Sequence, residues 1–403
     1  MLSTQLRWLA LAAVMRHAAA DDQKVLDDDS QCGCFFTNAT VPTFYAHHEF
    51  FDFRNLTQYA GVPPVRGNET QDTATIVSSD YFKTDEWTKN WGIQTWDNSK
   101  GANQGFSGDG TVYMINSANN IYIEENKDDD ADSETYLTMR TKRLAHLQTA
   151  AEFENKNYNF QYLSMRMYAR TLGDPGAVTA MFTYRNSDDP AKVQEADIEV
   201  LTRDPKNKIS YTNQPDDLPD TGPIPDATRN ATIPGGLEWN DWAVHRVDWT
   251  PERSVWFVNG QEAANIAFQV PRDASGVNFN SWGDGGSWSG NMTVGGQALF
   301  QIQWIELVYN TTDKNVQTYD SRAIAGRSSW TGPHGRLIRR KSHDDECGVV
   351  CSIDERADAG SVAMLSNNTE SAATRNLMAN GKSSMAMYVW AFAVGLPLGL
   401  WVL

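Results

Sequence analysis

Short runs of alternating apolar and polar residues, each closed by a turn signal, recur from about Asp80 to Asn310, with little helical periodicity. They begin at Thr111, Asn120, Tyr136, Gln161, Ala177, Ala243, Ser254 and Leu299. A period of two sends successive side chains to opposite faces of a strand, so each run pairs one buried face with one polar face. Such strands, spaced by Gly, Asn, Asp and Pro, specify an all-β sandwich or jelly roll. Asn259-Gly260, directly after the run that ends at Val258, reads as a two-residue hairpin turn. Residues 21–75 read as an irregular lead-in, 76–314 as the main domain, and 315–371 as a tail and linker. No heptad, internal repeat or glycine-rich phosphate loop interrupts this pattern.

One run carries chemistry. Read as a strand, Gln194–Leu201 turns Ala196, Ile198 and Val200 one way and Glu195, Asp197 and Glu199 the other. Three carboxylates on one face repel each other, and crowding spreads their pKa values so that one stays protonated while a neighbour is ionised. Glycoside hydrolysis needs that division, with one carboxyl protonating the leaving oxygen and another attacking the anomeric carbon or activating water. The same alternation also suits a solvated strand face or a calcium site. Tryptophan faces stack on sugar rings. Trp256 and Trp304 lie in apolar strands and read as core, whereas Trp282 and Trp288 lie in the polar, Gly-rich stretch Asn280–Gly290 and read as cleft residues.

Glu195-Ala196-Asp197-Ile198-Glu199 resembles the E-x-D-x-E signature of glycoside hydrolase family 16, which includes lichenases, laminarinases, and xyloglucan and fungal chitin–glucan transglycosylases. The unbulged spacing is similar to the lichenase and transglycosylase branches. The stretches Ala180–Tyr184, Tyr211–Pro215, His245–Pro251, Trp256–Gly260 and Trp282–Gly290 resemble a fungal member. The resemblance spans about Tyr81 to Tyr309. It implies a concanavalin A-like jelly-roll sandwich of two antiparallel sheets with a cleft on the concave one. It implies Glu195 as nucleophile, Glu199 as general acid/base and Asp197 as the group that orients Glu195, acting on cell-wall β-glucan without cofactor or metal. Ala196 departs from the family's larger aliphatic residue, on the core side of the strand. With the next hairpin centred near Lys206, Asn213 and Tyr211 join the cleft face, and His245 is a further candidate there. The competing readings are a non-catalytic lectin on the same fold and a structural wall glycoprotein.

The two ends point to export. Arg7, the apolar run Trp8–Met15 and Ala18-Ala19-Ala20 form a signal peptide over residues 1–20. Met385–Leu403 is uncharged, preceded by a polar spacer and by Ser371-Ala372-Ala373, the pattern of a glycosylphosphatidylinositol signal attached at Ser371 and removed over 372–403. A plain tail anchor is the alternative. Sequons begin at Asn38, Asn55, Asn68, Asn230, Asn291, Asn310 and Asn367. Cys32, Cys34, Cys347 and Cys351 flank the body as two pairs, and in an exported chain two bridges joining the N-terminal pair to the C-terminal pair are expected. A zinc site is the alternative for four cysteines. The formal charge of −17 argues against nucleic acid as a partner. The basic cluster at Arg336, Arg339, Arg340 and Lys341 reads as a solvated linker, and the chain as a monomer.

Overall fold

The computed structural model describes residues 25–26, 28–65, 75–100, 105–218, 222–314, 347–356 and 358–367. The chain divides into a unit over 1–366 and a second over 367–403, and beyond Asn367 the second lies outside the described residues. The predicted signal peptide, Asn68, the basic cluster, Ser371 and the anchor signal also lie outside them.

Two sheets face each other across one core. The first runs Thr228–Thr232, Lys208–Gln214, Gln194–Leu201, Val178–Arg185, Gly276–Trp282, Leu147–Asn155 and Trp91–Ile93, each strand antiparallel to the next. The second centres on Gln297–Thr311, which pairs with Phe160–Gly173 on one side and with His47–Asp52 and Thr135–Arg143 on the other. Phe160–Gly173 leads on to Ala243–Trp249, Ser254–Val258 and Gln261–Ile266. The sheets meet where Lys142 and Arg143 pair with Thr149 and Gln148. This is an all-β jelly-roll sandwich, and its one α-helix among the described residues is Asp85–Thr88. Among the described strands, Tyr113–Asn116 departs from the antiparallel expectation by running parallel to Leu147–Asn155, as does Cys34–Thr37 beside Val349–Ser352.

Alternation places the core. Ala196, Ile198 and Val200 meet Met167, Val247, Trp249 and Trp256 from the opposite sheet. One end is aromatic, with Phe153 stacked on Phe279 at 4.9 Å and Trp91 edge-on to both. The hairpin at Asn259-Gly260 forms as the sequence predicts, with φ of 47° and 74° at its two residues. In Gln297–Thr311 the alternation changes phase. Phe300 and Ile302 face the core, and beyond Gln303 so do Ile305, Leu307 and Tyr309. The register shift opposite Tyr168 and Ala169 makes Gln303 the extra residue of a bulge, which flips the faces. Trp304 is therefore buried on the outer side of the second sheet, against Tyr168 and Phe50, and not between the sheets.

The lead-in is not irregular. Val25–Leu26, Cys34–Thr37 and Thr43–Tyr45 join Val349–Ser352 and Val362–Asn367 of the tail in a five-stranded sheet, and His47–Asp52 belongs to the main body. Covering on both faces conceals His47–Asp52, because His48 lies beneath the small sheet while Phe51 enters the core. Bridges Cys32–Cys351 and Cys34–Cys347 fasten the small sheet.

Candidate active site

The carboxylate strand Gln194–Leu201 lies between Val178–Arg185 and Lys208–Gln214, and its alternation survives intact. Ala196 and Ile198 are buried in the core, while Glu195, Asp197 and Glu199 share the open face. Across the sheet, Glu199 faces Ala180 and Ser210, Asp197 faces Phe182 and Thr212, and Glu195 faces Tyr184 and Gln214. The rows continue through Asn280 and Asn278 to Glu152 and Glu154. Asp197 is buried, whereas Glu195 and Glu199 are half-buried. The Trp288 indole N–H donates to Glu199 Oε1 at 3.2 Å, and the Trp96 indole N–H donates to Glu152 Oε1 at 3.1 Å. A cavity of about 360 Å³ opens beyond the Glu195 end, bordered by Glu154, Tyr158, Tyr184, Asn186 and Asn278.

Burial and mutual repulsion set the electrostatics. Burial is the main cause that pushes Glu195 up to about 8, with the charge of Glu199 next. Burial likewise raises Glu199 to about 7, opposed by the Trp288 hydrogen bond and reinforced by Asp216. Asp197 is raised well above the usual carboxylate range, by burial and then by the charges of Glu195 and Glu199. The hydrogen bond between Asp197 and Glu195 raises the first and lowers the second, which favours Asp197 as donor and Glu195 as acceptor. The trio titrates as one cluster, so its protons belong to the group and not to single residues. No group of three or more His, Cys, Asp or Glu placed to hold a metal occurs among the described residues.

Residues 113–306 match the family model for glycosyl hydrolases family 16, and that span contains the whole trio. Over that span, just under half of its length, the chain is similar to the glycosyl hydrolases of family 16. Solved structures similar to it include a prokaryotic β-1,3-1,4-glucanase (lichenase) from a mouse hindgut metagenome, at 17% identity over 66% of this chain and 99% of that one, TM-score 0.41. Others are Bacillus licheniformis β-glucanase (19%, 55% and 92%, TM-score 0.39) and the laminarinase catalytic domain of Thermotoga maritima MSB8 (17%, 55% and 92%, TM-score 0.42). No curated protein sequence matches the chain.

The fold brings Trp282 and Trp288 to the open face, both half-buried; Trp282 ends its strand opposite Val178. It does not bring Asn213, Tyr211 or His245 there. Asn213 pairs with Ala196 and Tyr211 with Ile198, so both turn to the core side. Tyr211 packs on Trp256, and Asn213 Nδ2 donates to the Phe268 carbonyl. The cause lies in the turn, which is centred between Asp204 and Pro205 and not at Lys206. Two short backbone bonds, Asp204 N–H to Leu201 O and Lys208 N–H to Pro205 O, set it there. The resulting odd shift in pairing exchanges the faces of the partner strand. His245 lies beneath the carboxylate strand, in an enclosed gap with Met167, Ile198, Val200 and Phe300, and burial drives its pKa down to about 4.

Asn310 departs from the sequon expectation. It is fully buried, its Oδ1 accepting from Ala46 N–H and its Nδ2 donating to the Phe44 carbonyl, so it has no amide free to carry a glycan. Asn38, Asn55, Asn230 and Asn291 are exposed and Asn367 is half-buried. The sequence alone did not point to Glu152, Glu154, Tyr184, Asn278 and Asn280. Each sits at an alternate position of a neighbouring strand, so the cross-strand register was the missing signal.

Proposed function

We propose that this domain is a retaining glycosidase or transglycosylase of β-glucan, with Glu195 as nucleophile, Glu199 as general acid/base and Asp197 as the group that orients Glu195. The observation that carries the reading is the carboxylate trio on one open face, with an indole N–H donating to Glu199. Ionised Glu195 attacks the anomeric carbon while protonated Glu199 gives its proton to the departing glycosidic oxygen, so one C–O bond forms as the other breaks. Glu199, now a carboxylate, then takes a proton from water or from a sugar hydroxyl, whose oxygen displaces Glu195. Strand rise separates residues i and i+4 by about 13 Å at Cα. Two glutamate side chains leaning together span most of that, leaving the gap of about 5 Å that retention uses.

Tyr184, Trp282, Trp288 and Trp96 offer aromatic faces, and Asn278 and Asn280 offer amides, the lining a glucan chain requires. Export and a lipid tether complete the proposal, supported by the terminal signals and by the two disulfide bridges of the body.

The deciding experiment incubates the purified domain with lichenan, laminarin and chitin oligosaccharides plus labelled acceptors. The expected products keep the β configuration by NMR. Glu195→Gln and Glu199→Gln lower kcat by roughly 10²–10⁴-fold. A wild type that binds these glycans yet neither cleaves nor transfers makes the domain a lectin. Release of the cell-surface protein by a phosphatidylinositol-specific phospholipase C tests the tether.

A further inference from the structure

Trp288 is held in place from outside its own loop. Residues 283–290 leave the strand Gly276–Trp282 and fold under two internal ties, Gly286 N–H and Ser289 Oγ–H both donating to Asp284 Oδ1 at 2.9 and 3.0 Å. A second loop, 105–112, grips them. Thr111 and Val112 N–H donate to the Asp284 carbonyl, Thr111 Oγ donates to the Gly285 carbonyl, and Asp109 Oδ2 accepts from Ser287 N–H at 2.9 Å. The fit is tight, for a Cβ on Gly286 would lie 2.3 Å from Asp109 Oδ1 and one on Gly285 2.4 Å from Thr111 Oγ. The gripping loop is itself anchored by Asn98, buried, which donates to the Val112 carbonyl and accepts from Met114 N–H. On the far side the Arg203 guanidinium donates to the Ser287 carbonyl. Ser287 is thus held at both its backbone polar atoms, one residue before the indole that reaches Glu199.

We propose that Asp109 is a positioning residue which, through Ser287, fixes loop 283–290 so that the Trp288 N–H stays on Glu199. Asp109 is exposed and touches no carboxylate of the trio, so its effect passes entirely through the loop. The charged groups facing Glu199 are Glu195 and Asp197 on its strand, Asp216 beyond the neighbouring strand and Glu152 on its row, all carboxylates. Trp288 opposes them by favouring the ionised form of Glu199. Losing the indole contact therefore shifts the protonation of Glu199 to higher pH. The kinetic consequence rests on the acid/base role proposed for Glu199, whereas the contact itself does not.

Two readouts separate these. In ¹H–¹⁵N spectra of the full domain, the Trp288 indole signal, assigned by its loss in Trp288→Phe, is expected to titrate with Glu199. In Asp109→Ala that signal broadens or stops titrating, while Asp109→Asn, whose amide oxygen still accepts from Ser287, restores it. In kcat/KM profiles on β-glucan, Trp288→Phe moves the alkaline limb up by about one pH unit, the size of a lost hydrogen bond to a charged group. Asp109→Ala moves it the same way, and the double variant moves no further than Trp288→Phe alone. The proposal is overturned if Asp109→Ala, with an unchanged melting temperature, leaves both the indole titration and the limb as in the wild type. It is equally overturned if the two variants shift the limb additively. Should the wild type turn over no glucan, the functional reading fails while the spectra still decide the role of Asp109.

Discussion

Glu195, Asp197 and Glu199 are held at a cost to the fold. Each is raised, Glu195 to about 8 and Glu199 to about 7, so the folded state keeps protons that the unfolded chain releases. No penalty exists below the unfolded value of about 4.3. Stability falls as the pH rises from there through the folded values, and above them the loss is constant. Glu195→Gln and Glu199→Gln are therefore expected to raise the melting temperature at pH 8 and to leave it nearly unchanged at pH 4, by roughly 2–4 °C per kcal/mol relieved. An equal shift at both pH values would show that repulsion is not the source. The trio was legible in the sequence because alternation along one strand is local. Asn213 and Tyr211 were misplaced because their faces depend on a turn whose centre the sequence leaves open.

The small sheet meets the body through buried charge. His48 bridges Asp29 and Glu306 at 2.8 and 2.9 Å, Arg166 pairs with Glu306, and Arg246 links Asp248 to Asp354. Glu306 is fully buried and lowered, while its hydrogen bonds with Asp29 and Glu306 hold His48 up at about 9 against the opposing effect of burial. The His48 contribution is whole below pH 6.5 and is lost as the pH rises through about 9. That of Glu306 is present above about 4.3 and is lost as the pH falls. Docking is thus strongest between those limits. Glu306→Gln, which leaves Arg166 without its carboxylate and His48 with Asp29 alone, is expected to cost about 3–5 kcal/mol in urea unfolding at pH 7. His48→Gln leaves the Arg166–Glu306 pair standing and costs less. The reverse order of costs would contradict this account of the interface. Nothing in the sequence spacing joins residue 48 to residue 306, so this element had no local signature.

At the scale of the molecule the two bridges close nearly the same loop, with sequence separations of 319 and 313 residues. Once either forms, the other closes a ring of only a few residues, and loop entropy grows slowly with length. Removing one pair, as in Cys32→Ser with Cys351→Ser, is therefore expected to cost about 2–3 kcal/mol, and removing both to cost more than twice that, in denaturant unfolding. Two separate, additive losses would show that each bridge acts by local packing instead.

By itself the sequence determined the features that neighbouring residues settle among themselves: an all-β body, the core and open faces of Gln194–Leu201, and the hairpin at Asn259-Gly260. Backbone sterics and the period of two act over a few residues, so a single strand displays them. Tertiary structure alone decided the pairing of Glu195 with Gln214, the bulge at Gln303, the burial of Asn310 and the reach of Trp288 to Glu199. Each depends on contacts between segments far apart in the chain, where packing and hydrogen-bond satisfaction choose among registers that alternation leaves equivalent.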